Sequence, residues 1–247
     1  KILITDPISD QGLKILEHDQ LEIIYKPEIS EDELEVLLST IHGWIIRSGT
    51  QITSKHLNEA NKLSVIGRAG VGVDNIDIKS STSAGVVVMN LPDGNTISAA
   101  EHTLSLLSGL SRNIHVGHLG LVKGEWNRHK LVGNELKGKT LGIVGLGKIG
   151  REVMKRALSY DMKILGHDPF VNQEMFDPEK IKIVDIDTLT KESDYITLHV
   201  PLIDSTKDLF DLDRLKMMKS SARIINVARG GIINEKDLSI ALNEGII

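Results

Sequence analysis

Residues 140–153 read Thr-Leu-Gly-Ile-Val-Gly-Leu-Gly-Lys-Ile-Gly-Arg-Glu-Val, and this stretch decides the fold. The apolar residues 141–144 predict a buried strand, and the glycines that follow predict a tight turn into a helix. In such a turn Gly145 permits the change of direction, Gly147 lets the backbone approach a pyrophosphate, and Gly150 lets the helix lie close to the strand. The amide groups at the helix N-terminus would then face the phosphates. The sequence therefore predicts a dinucleotide site here.

A second apolar run, residues 163–168, strengthens this prediction. It ends in Asp168, at about the distance from the glycines at which dinucleotide-binding folds place an acidic residue. We expect the Asp168 carboxylate to accept the adenosine ribose hydroxyls. Because a carboxylate repels a 2′-phosphate, the predicted cofactor is NAD rather than NADP.

Short β-branched runs alternate with amphipathic stretches along the whole chain, which predicts an α/β fold with two doubly wound parallel-sheet domains. We place their boundary between residues 1–92 and residues 93–247. The predicted strands of the first domain lie near 2–5, 21–25, 44–47, 64–67 and 86–90. Those of the second lie near 141–145, 163–167, 181–184, 195–200 and 222–227, and its helices near 149–160, 186–193, 206–219 and 234–244. Because a dinucleotide fold usually has six strands, we expect these residues to be part of a longer polypeptide.

Two helix starts are marked by side chains. Ser30-x-x-Glu33 is predicted to be a capping box that opens a helix in the first domain. Ser98-x-x-Glu101 is predicted to cap a linking helix whose apolar stripe comprises Leu104, Leu107 and Ile114.

Composition excludes several classes of function. The 247 residues include 40% hydrophobic residues, carry a net charge of −5 and contain no cysteine. No basic run indicates a nucleic-acid partner, no apolar stretch approaches the roughly 20 residues of a membrane span, and no disulfide can form. No histidine pair has a supporting acid at metal-ligand spacing, so we predict no metal. We expect a globular cytoplasmic protein.

Four arginines lie at predicted strand ends or in loops: Arg47, Arg68, Arg128 and Arg229. Ligands of open α/β sheets bind at the carboxyl ends of the strands. A guanidinium offers a planar fork to a carboxylate or a phosphate, so an arginine cluster predicts a dianionic ligand. For Arg47 and Arg128 a solvated surface charge remains the alternative, whereas Arg68 and Arg229 lie beside glycines that bring backbone close to a ligand.

His199 ends a predicted strand in Thr197-Leu-His-Val-Pro201. We predict that it forms part of the wall around the cofactor. The alternative is a buried, hydrogen-bonded histidine without a chemical role.

Together these segments resemble the D-isomer-specific 2-hydroxyacid dehydrogenases. The resemblance extends over most of the chain, and the order of its segments is more specific than any one of them. The segments that carry it are residues 67–77, 88–95, 99–101, 123–128, 145–150, 199–202 and 226–235.

The resemblance implies an NAD-dependent dehydrogenase that transfers a hydride between a 2-hydroxy acid and the nicotinamide. It implies a flavodoxin-like substrate-binding domain, of which residues 1–92 form the first part. It also implies an NAD-binding Rossmann domain in residues 93–247 that is incomplete at its C-terminal end. In relatives a histidine and a glutamate further downstream handle the proton, so we assign no catalytic base and expect this piece alone to be inactive.

The resemblance also implies a role for individual residues. Arg229 would be the catalytic arginine that holds the substrate carboxylate and polarises the C2 oxygen. Substrate-binding residues would be Arg47, Arg68, Gly70, Val71 and Arg128. Cofactor-binding residues would be Gly145, Gly147, Lys148, Ile149, Gly150, Asp168, His199, Val200, Pro201, Val227 and Ala228.

Two of these roles need a qualification. Val71 stands where relatives often have threonine, so only backbone contacts are expected there. Arg128, in the Trp126 segment, is expected to reach the active site of a partner subunit in a homodimer or higher homo-oligomer.

The arginines and the Trp126 segment favour a small phosphorylated 2-hydroxy acid as the substrate. Three alternatives stay open. The chain could belong to a hydroxypyruvate or glyoxylate reductase, to another D-2-hydroxyacid dehydrogenase, or to an NAD-sensing protein without turnover.

Overall fold

The computed structural model describes all residues from Lys1 to Ile247. The backbone divides into two compact units, Lys1–Asn95 and Thr96–Ile247. Each unit is built around its own parallel β-sheet of five strands.

The sheet of the first unit has the strand order β2-β1-β3-β4-β5. Its strands are β1 (Ile2–Ile4), β2 (Ile23–Tyr25), β3 (Gly43–Ile46), β4 (Val65–Arg68) and β5 (Val87–Asn90). This is the order of flavodoxin-like sheets, in which the direction of winding reverses between the first and third strands. The predicted flavodoxin-like fold is confirmed.

Four helices connect these strands: α1 (Asp10–Leu16), α2 (Glu31–Leu38), α3 (Ser54–Glu59) and α4 (Ile78–Ser83). Only α2 was predicted, and Ser30 caps it by accepting a hydrogen bond from the Glu33 amide at 3.3 Å. The Glu33 side chain does not complete the capping box, because it accepts a hydrogen bond from Lys26 Nζ at 3.0 Å instead.

The core of the first unit surrounds Trp44, which is fully buried. The indole Nε1 donates to Thr5 Oγ1 at 2.9 Å, so its polar atom is satisfied inside the core. Leu3, Leu38 and Ile66 pack in the same cluster.

The sheet of the second unit has the order β10-β9-β6-β7-β8. Its strands are β6 (Thr140–Val144), β7 (Lys163–His167), β8 (Lys182–Ile183), β9 (Tyr195–Leu198) and β10 (Arg223–Asn226). Counted from β6, this is the order 3-2-1-4-5 of the dinucleotide-binding fold, with the reversal between β6 and β9. The predicted Rossmann-type fold is therefore confirmed.

Six helices belong to this unit: α5 (Thr96–Ser111), α6 (Ile114–Val122), α7 (Lys148–Leu158), α8 (Ile186–Glu192), α9 (Leu212–Met217) and α10 (Glu235–Asn243). Helix α7 packs on the sheet through Val153 and Ala157, both fully buried. None of the helices has the length and apolar composition that crossing a membrane requires.

Two predictions about the linking helix are wrong. Ser98 lies inside α5, which begins at Thr96 directly after the Asp93-Gly94-Asn95 turn. Ile114 is not part of its apolar stripe, because Asn113 adopts a left-handed conformation (φ 53°) that separates α5 from α6. Ile114 is 59% exposed, whereas Leu104 and Leu107 are buried as predicted.

The predicted helix over residues 206–219 is also mostly wrong. Asp208 has a φ of 51°, and Phe210 forms an isolated parallel bridge with Ile233. A helix begins only after Asp211, whose carboxylate accepts a hydrogen bond from the Arg214 amide at 2.9 Å. Residues 204–208 form turns instead of a helix, and Phe210 attaches the end of this segment to Ile233.

Candidate active site

The register of the second sheet places four strand ends in one row. Asn226 pairs with Leu198, Leu198 pairs with Val144, and Val144 pairs with His167. The residues that follow these strands carry the predicted cofactor contacts, including Gly145, Asp168, His199 and Val227. The sheet therefore brings these predicted residues to one edge, at the point where ligands of such folds bind.

Gly145 turns the chain between the ends of β7 and β9. Its φ is +94°, and its amide donates to the His167 carbonyl at 2.8 Å. A Cβ at this position would lie 2.5 Å from the His199 carbonyl oxygen. Only glycine satisfies both conditions, since the positive φ and the close backbone each exclude a side chain.

The other two glycines differ in what surrounds them. A Cβ at Gly150 would collide with the Gly145 carbonyl, whereas a Cβ at Gly147 would meet nothing within 4 Å. Gly147 precedes α7, and no side chain caps that helix. The amides at the start of α7 thus border open space that a side chain at position 147 would fill. This arrangement fits a pyrophosphate.

Asp168 holds the glycine turn from the end of β7. Its Oδ2 accepts a hydrogen bond from the Leu146 amide at 2.9 Å, and its Oδ1 accepts one from the Phe170 amide at 2.9 Å. Each carboxylate oxygen has a second lone pair, so Asp168 keeps acceptor capacity for ribose hydroxyls.

Arg151 holds the same turn from the helix side. Its Nε donates to the Leu146 carbonyl at 2.8 Å, and its guanidinium carbon lies 5.0 Å from the centre of the Phe176 ring. Side chains therefore satisfy both backbone polar groups of buried Leu146. Arg151 was not among the predicted site residues, although its place directly after Gly150 was a usable signal.

The two remaining predicted residues of the turn lie at the start of α7. The Lys148 side chain is exposed, and Ile149 is half-buried against the core of the unit.

At the end of β9, His199 is largely buried, and its Nε2 lies 3.0 Å from Thr197 Oγ1. Burial lowers the pKa of His199 to about 4, so the ring is neutral near pH 7. Val200 packs partly buried against the core, while Pro201 is exposed and its carbonyl accepts a hydrogen bond from Thr206 Oγ1 at 2.6 Å. His199 is thus buried and hydrogen-bonded, as the alternative without a chemical role requires. Its role beside a cofactor stays a prediction.

The end of β10 forms a turn that carries Arg229. Asn226 Nδ2 donates to the Arg229 carbonyl at 2.8 Å, and Asn226 Oδ1 accepts from the Ala228 amide at 3.0 Å. Arg229 Nη1 donates to the Ala228 carbonyl at 2.8 Å, which folds the guanidinium back over the turn. Val227, which follows Asn226 in this turn, is half-buried.

In the first unit, Arg47 and Arg68 lie at the ends of two neighbouring strands. Ile46 pairs with Arg68 across β3 and β4, and Arg47 follows directly. Arg47 is exposed, and its Nη1 donates to the Pro7 carbonyl at 3.2 Å. The sheet therefore brings these two predicted residues together at its ligand-binding edge.

Gly70 and Val71 follow Arg68 and contribute backbone. The Arg68 guanidinium lies against Gly70, where a Cβ would displace it. The Val71 carbonyl accepts a hydrogen bond from Asn90 Nδ2 at 2.6 Å, and the Gly70 carbonyl accepts one from the Leu91 amide at 2.9 Å. Both carbonyls are thus fixed by the end of β5.

Asp6, which was not among the predicted site residues, lies against the Arg47 loop. Its carboxylate accepts hydrogen bonds from the amides of Arg47 (2.7 Å), Gly49 (3.0 Å) and Thr50 (3.1 Å). Burial acts to raise the pKa of Asp6, but these hydrogen bonds outweigh it and hold the pKa below its usual value. An acid directly after a predicted strand was the available signal, and its partners could not be read from sequence.

Arg128 does not follow a strand of either sheet. It opens a short 3₁₀ turn, Arg128–Leu131, that packs against α6, and its side chain is exposed. The neighbouring Trp126 is 71% exposed.

A cavity of about 380 Å³ opens beside the Arg47 loop. Asp6, Glu31, Thr50 and His56 line it, together with other polar and apolar residues, and no lysine or arginine does. It is therefore unsuited to a phosphate, and the predicted substrate residues are not in its lining. No group of three or more metal-ligating side chains comes together anywhere in the molecule.

The fold and the glycine turn define an α/β protein of the dinucleotide-binding class. Residues 104–247 match the family model described as the NAD-binding domain of D-isomer specific 2-hydroxyacid dehydrogenases. The chain belongs to this family and carries its NAD-binding domain, which confirms both the resemblance and the predicted cofactor.

Curated relatives and solved structures agree with this assignment. A D-3-phosphoglycerate dehydrogenase of Methanocaldococcus jannaschii is 44% identical over 248 residues, covering 100% of this chain and 47% of the relative. One from Synechocystis sp. is 42% identical over 242 residues, covering 98% and 44%. The chain thus spans about half the length of the curated relatives it matches.

Among solved structures, an NAD-dependent formate dehydrogenase from Staphylococcus aureus in complex with NAD superposes with a TM-score of 0.89. It is 31% identical, and the match covers 99% of this chain and 78% of that one.

Proposed function

We propose that the protein that carries this sequence catalyses the NAD-dependent oxidation of D-3-phosphoglycerate to 3-phosphohydroxypyruvate, the first step of L-serine biosynthesis. The observation that carries the proposal is the pair Arg47 and Arg68, which end neighbouring strands beside the fixed backbone of Gly70. Two guanidinium groups at one edge suit a substrate that carries a phosphate and a carboxylate. The names of the curated relatives support the same substrate.

In this proposal the two units divide the work. The first unit contributes Arg47 and Arg68, which hold anionic groups of the substrate, and the backbone of Gly70 and Val71, while the second unit contributes Arg128 and Arg229. Arg229 holds the carboxylate and polarises the C2 oxygen, which favours loss of the hydroxyl proton. Arg128 holds the phosphate, from its own or a partner subunit.

The second unit holds NAD, which supplies the acceptor for the hydride when bound. The amides at the start of α7 hold the pyrophosphate beside Lys148 and Ile149, and Asp168 accepts the ribose hydroxyls. His199, Val200, Pro201, Val227 and Ala228 surround the nicotinamide half. The neutral His199 ring adds no positive charge beside the nicotinamide.

The test is NADH production by the whole protein that carries this sequence, compared across 3-phosphoglycerate, D-lactate and glycerate. We expect the highest kcat/KM for 3-phosphoglycerate. A preference for an unphosphorylated acid would contradict the phosphate assignment and favour another 2-hydroxyacid dehydrogenase. NAD binding without turnover on any of the acids would favour a sensor.

We also propose that the protein works in the cytoplasm as a homodimer. Support for the dimer comes from α6 and the segment after it, where apolar side chains are exposed: Leu119 at 56%, Leu121 at 59%, Val122 at 72% and Trp126 at 71%. Adjacent exposed apolar residues of this size are typical of a protein interface. Sedimentation of the whole protein and of a Leu119→Glu/Leu121→Glu variant tests this, since the charges should leave a monomer.

A further inference from the structure

The loop that carries Arg47 is held by two side chains from other loops of the first unit, Asp6 in the segment after β1 and Asn75 in the segment between β4 and α4. Its four residues, 47–50, follow β3. The amides of Arg47, Gly49 and Thr50 donate to Asp6, as described above. From the opposite side Asn75 Nδ2 donates to the Arg47 carbonyl at 2.7 Å and to the Thr50 carbonyl at 2.6 Å.

These bonds account for most of the backbone polar groups of the loop. Three of its N–H groups and two of its carbonyls are engaged by one carboxylate and one carboxamide. A Cβ at Gly49 would collide with Asp6 Oδ1, so the carboxylate and the loop backbone are packed directly together. Ser48 alone faces outward with its backbone outside this network, and its side chain is exposed.

The network fixes the start of an otherwise exposed arginine side chain. Arg47 is exposed and anchors its guanidinium only through the carbonyl of Pro7, the residue next to Asp6. A guanidinium binds an oxyanion through a planar fork. Its affinity for the oxyanion therefore depends on the direction in which the side chain leaves the backbone. Because five backbone groups hold the loop, the Cα–Cβ bond of Arg47 has one fixed direction.

We propose that Asp6 and Asn75 are positioning residues for substrate binding, acting through the Arg47 loop. This inference rests on the proposed function, in which Arg47 holds an anionic group of the substrate. Neither residue touches the substrate. Asp6 orients the loop through its N–H groups, and Asn75 orients it through its carbonyls.

The first test is Asp6→Asn in the whole protein. The substitution keeps the size of the side chain but turns one oxygen into an N–H₂ group that faces a loop amide. We expect the KM for 3-phosphoglycerate to rise about tenfold, a factor equal to about 1.4 kcal/mol. We expect kcat to change less than threefold and the KM for NAD to stay the same. Asn75→Asp, which replaces the donor by an acceptor, should give the same pattern.

A double-mutant cycle separates positioning from a general loss of structure. If Asp6 acts through Arg47, then Asp6→Asn should raise the KM no further once Arg47→Ala has removed the guanidinium. Additive effects of the two substitutions would overturn the proposal. Ser30→Ala is the matched control, because it removes the cap of α2 in the same unit and should leave the KM unchanged.

The failure of the proposed function would look different. If the wild-type protein prefers an unphosphorylated acid, the cycle is run with that acid, and an unchanged KM in Arg47→Ala overturns the positioning role. Hydrogen exchange at the amides of Gly49 and Thr50 gives a reading that needs no turnover. Exchange should accelerate in Asp6→Asn and not in Ser30→Ala, and equal exchange in wild type and Asp6→Asn would overturn the proposal.

Discussion

At the scale of single residues, the three glycines of the turn are required for different reasons. Gly145 is required by its positive φ, Gly150 by the carbonyl packed against it, and Gly147 by nothing inside the protein. Gly147 lies at the start of α7, which no side chain caps, so the open space beside it can hold a ligand. Gly147 is thus the residue at which stability and cofactor binding can be separated.

Alanine substitutions should separate them. Gly147→Ala is expected to cost at most about 1 kcal/mol of stability, since alanine is merely a poorer residue at a helix start. The same substitution should weaken NAD binding at least tenfold, because the added methyl group enters the space for the pyrophosphate. Gly150→Ala should instead cost about 3 kcal/mol, since backbone must move to admit the methyl group. Urea unfolding and NAD titration of both variants check this, and a Gly147→Ala protein with normal NAD affinity would contradict it.

His199 should make stability depend on pH in a defined direction. Its pKa in the folded protein is about 4, below the usual 6.5, so the folded state resists protonation. As the pH falls from about 6.5 to about 4, the unfolded state binds a proton that the folded state does not. Stability present above pH 6.5 is therefore lost over this window, by up to about 3 kcal/mol.

The measurement is the free energy of unfolding at several pH values for the wild type and for His199→Gln. Glutamine keeps hydrogen-bonding capacity near Thr197 but does not titrate. The wild type should lose more stability than the variant between pH 6.5 and 4. Parallel pH profiles would show that another group governs the acid limb.

At the scale of elements, the residues at the ends of the strands position the predicted site residues. Asn226 is the last residue of β10, and its carboxamide spans the turn to Arg229. The guanidinium direction is thus set by a side chain that belongs to the sheet. Burial alone does not favour an asparagine at the end of an apolar strand, so its two hydrogen bonds to the turn explain its presence.

We expect Asn226→Ala to lower kcat more than stability. Loss of the two hydrogen bonds should cost about 2 kcal/mol in stability and let the turn that carries Arg229 adopt other conformations. Asn234→Ala is the matched control, because Asn234 caps α10 in the same unit by accepting from the Asp237 amide. The two variants should melt at similar temperatures, but only Asn226→Ala should lose turnover, by about tenfold or more. Equal turnover in both would rule out the role of this turn.

The elements also show what the sequence can predict. Strands of buried β-branched residues, such as β6 and β9, were predicted to within a residue or two because burial on both faces leaves a continuous apolar run. Helices α1, α3 and α4, of six or seven residues each, were not predicted, since so few residues carry little periodicity, although α8 is as short and was predicted near 186–193. The end of α5 was missed because one left-handed asparagine broke a continuous apolar pattern.

For the candidate site, residues inside a local motif could be predicted and residues that act across the sheet could not. The glycine turn and its acid follow one another along the chain, so their spacing carries information. Asp6 meets the Arg47 amide from 41 residues away, and Asn75 meets the Arg47 carbonyl from 28 residues away. Such pairs depend on which strands become neighbours, and a single sequence does not state that.

At the scale of the whole molecule, ligand binding should register differently in the two units. NAD at about 100 times its Kd should stabilise the protein by about 2.7 kcal/mol, since it binds only the folded state. Hydrogen exchange should slow at the start of α7 and at the ends of β6, β7, β9 and β10. The loop at residues 47–50 should be unchanged by NAD and protected only when 3-phosphoglycerate is added. Protection of that loop by NAD alone would contradict this division of work.

The hydrogen bond from the Leu146 amide to Asp168 has a consequence for anyone who redesigns cofactor preference. Replacing this acid by a small or basic residue is the obvious way to admit a 2′-phosphate. Here the same replacement would also release the glycine turn from β7, leaving a buried amide without its acceptor. A switch to NADP would therefore need a second substitution that restores that acceptor, and single-site libraries at position 168 should yield variants that lose the old cofactor without gaining the new one.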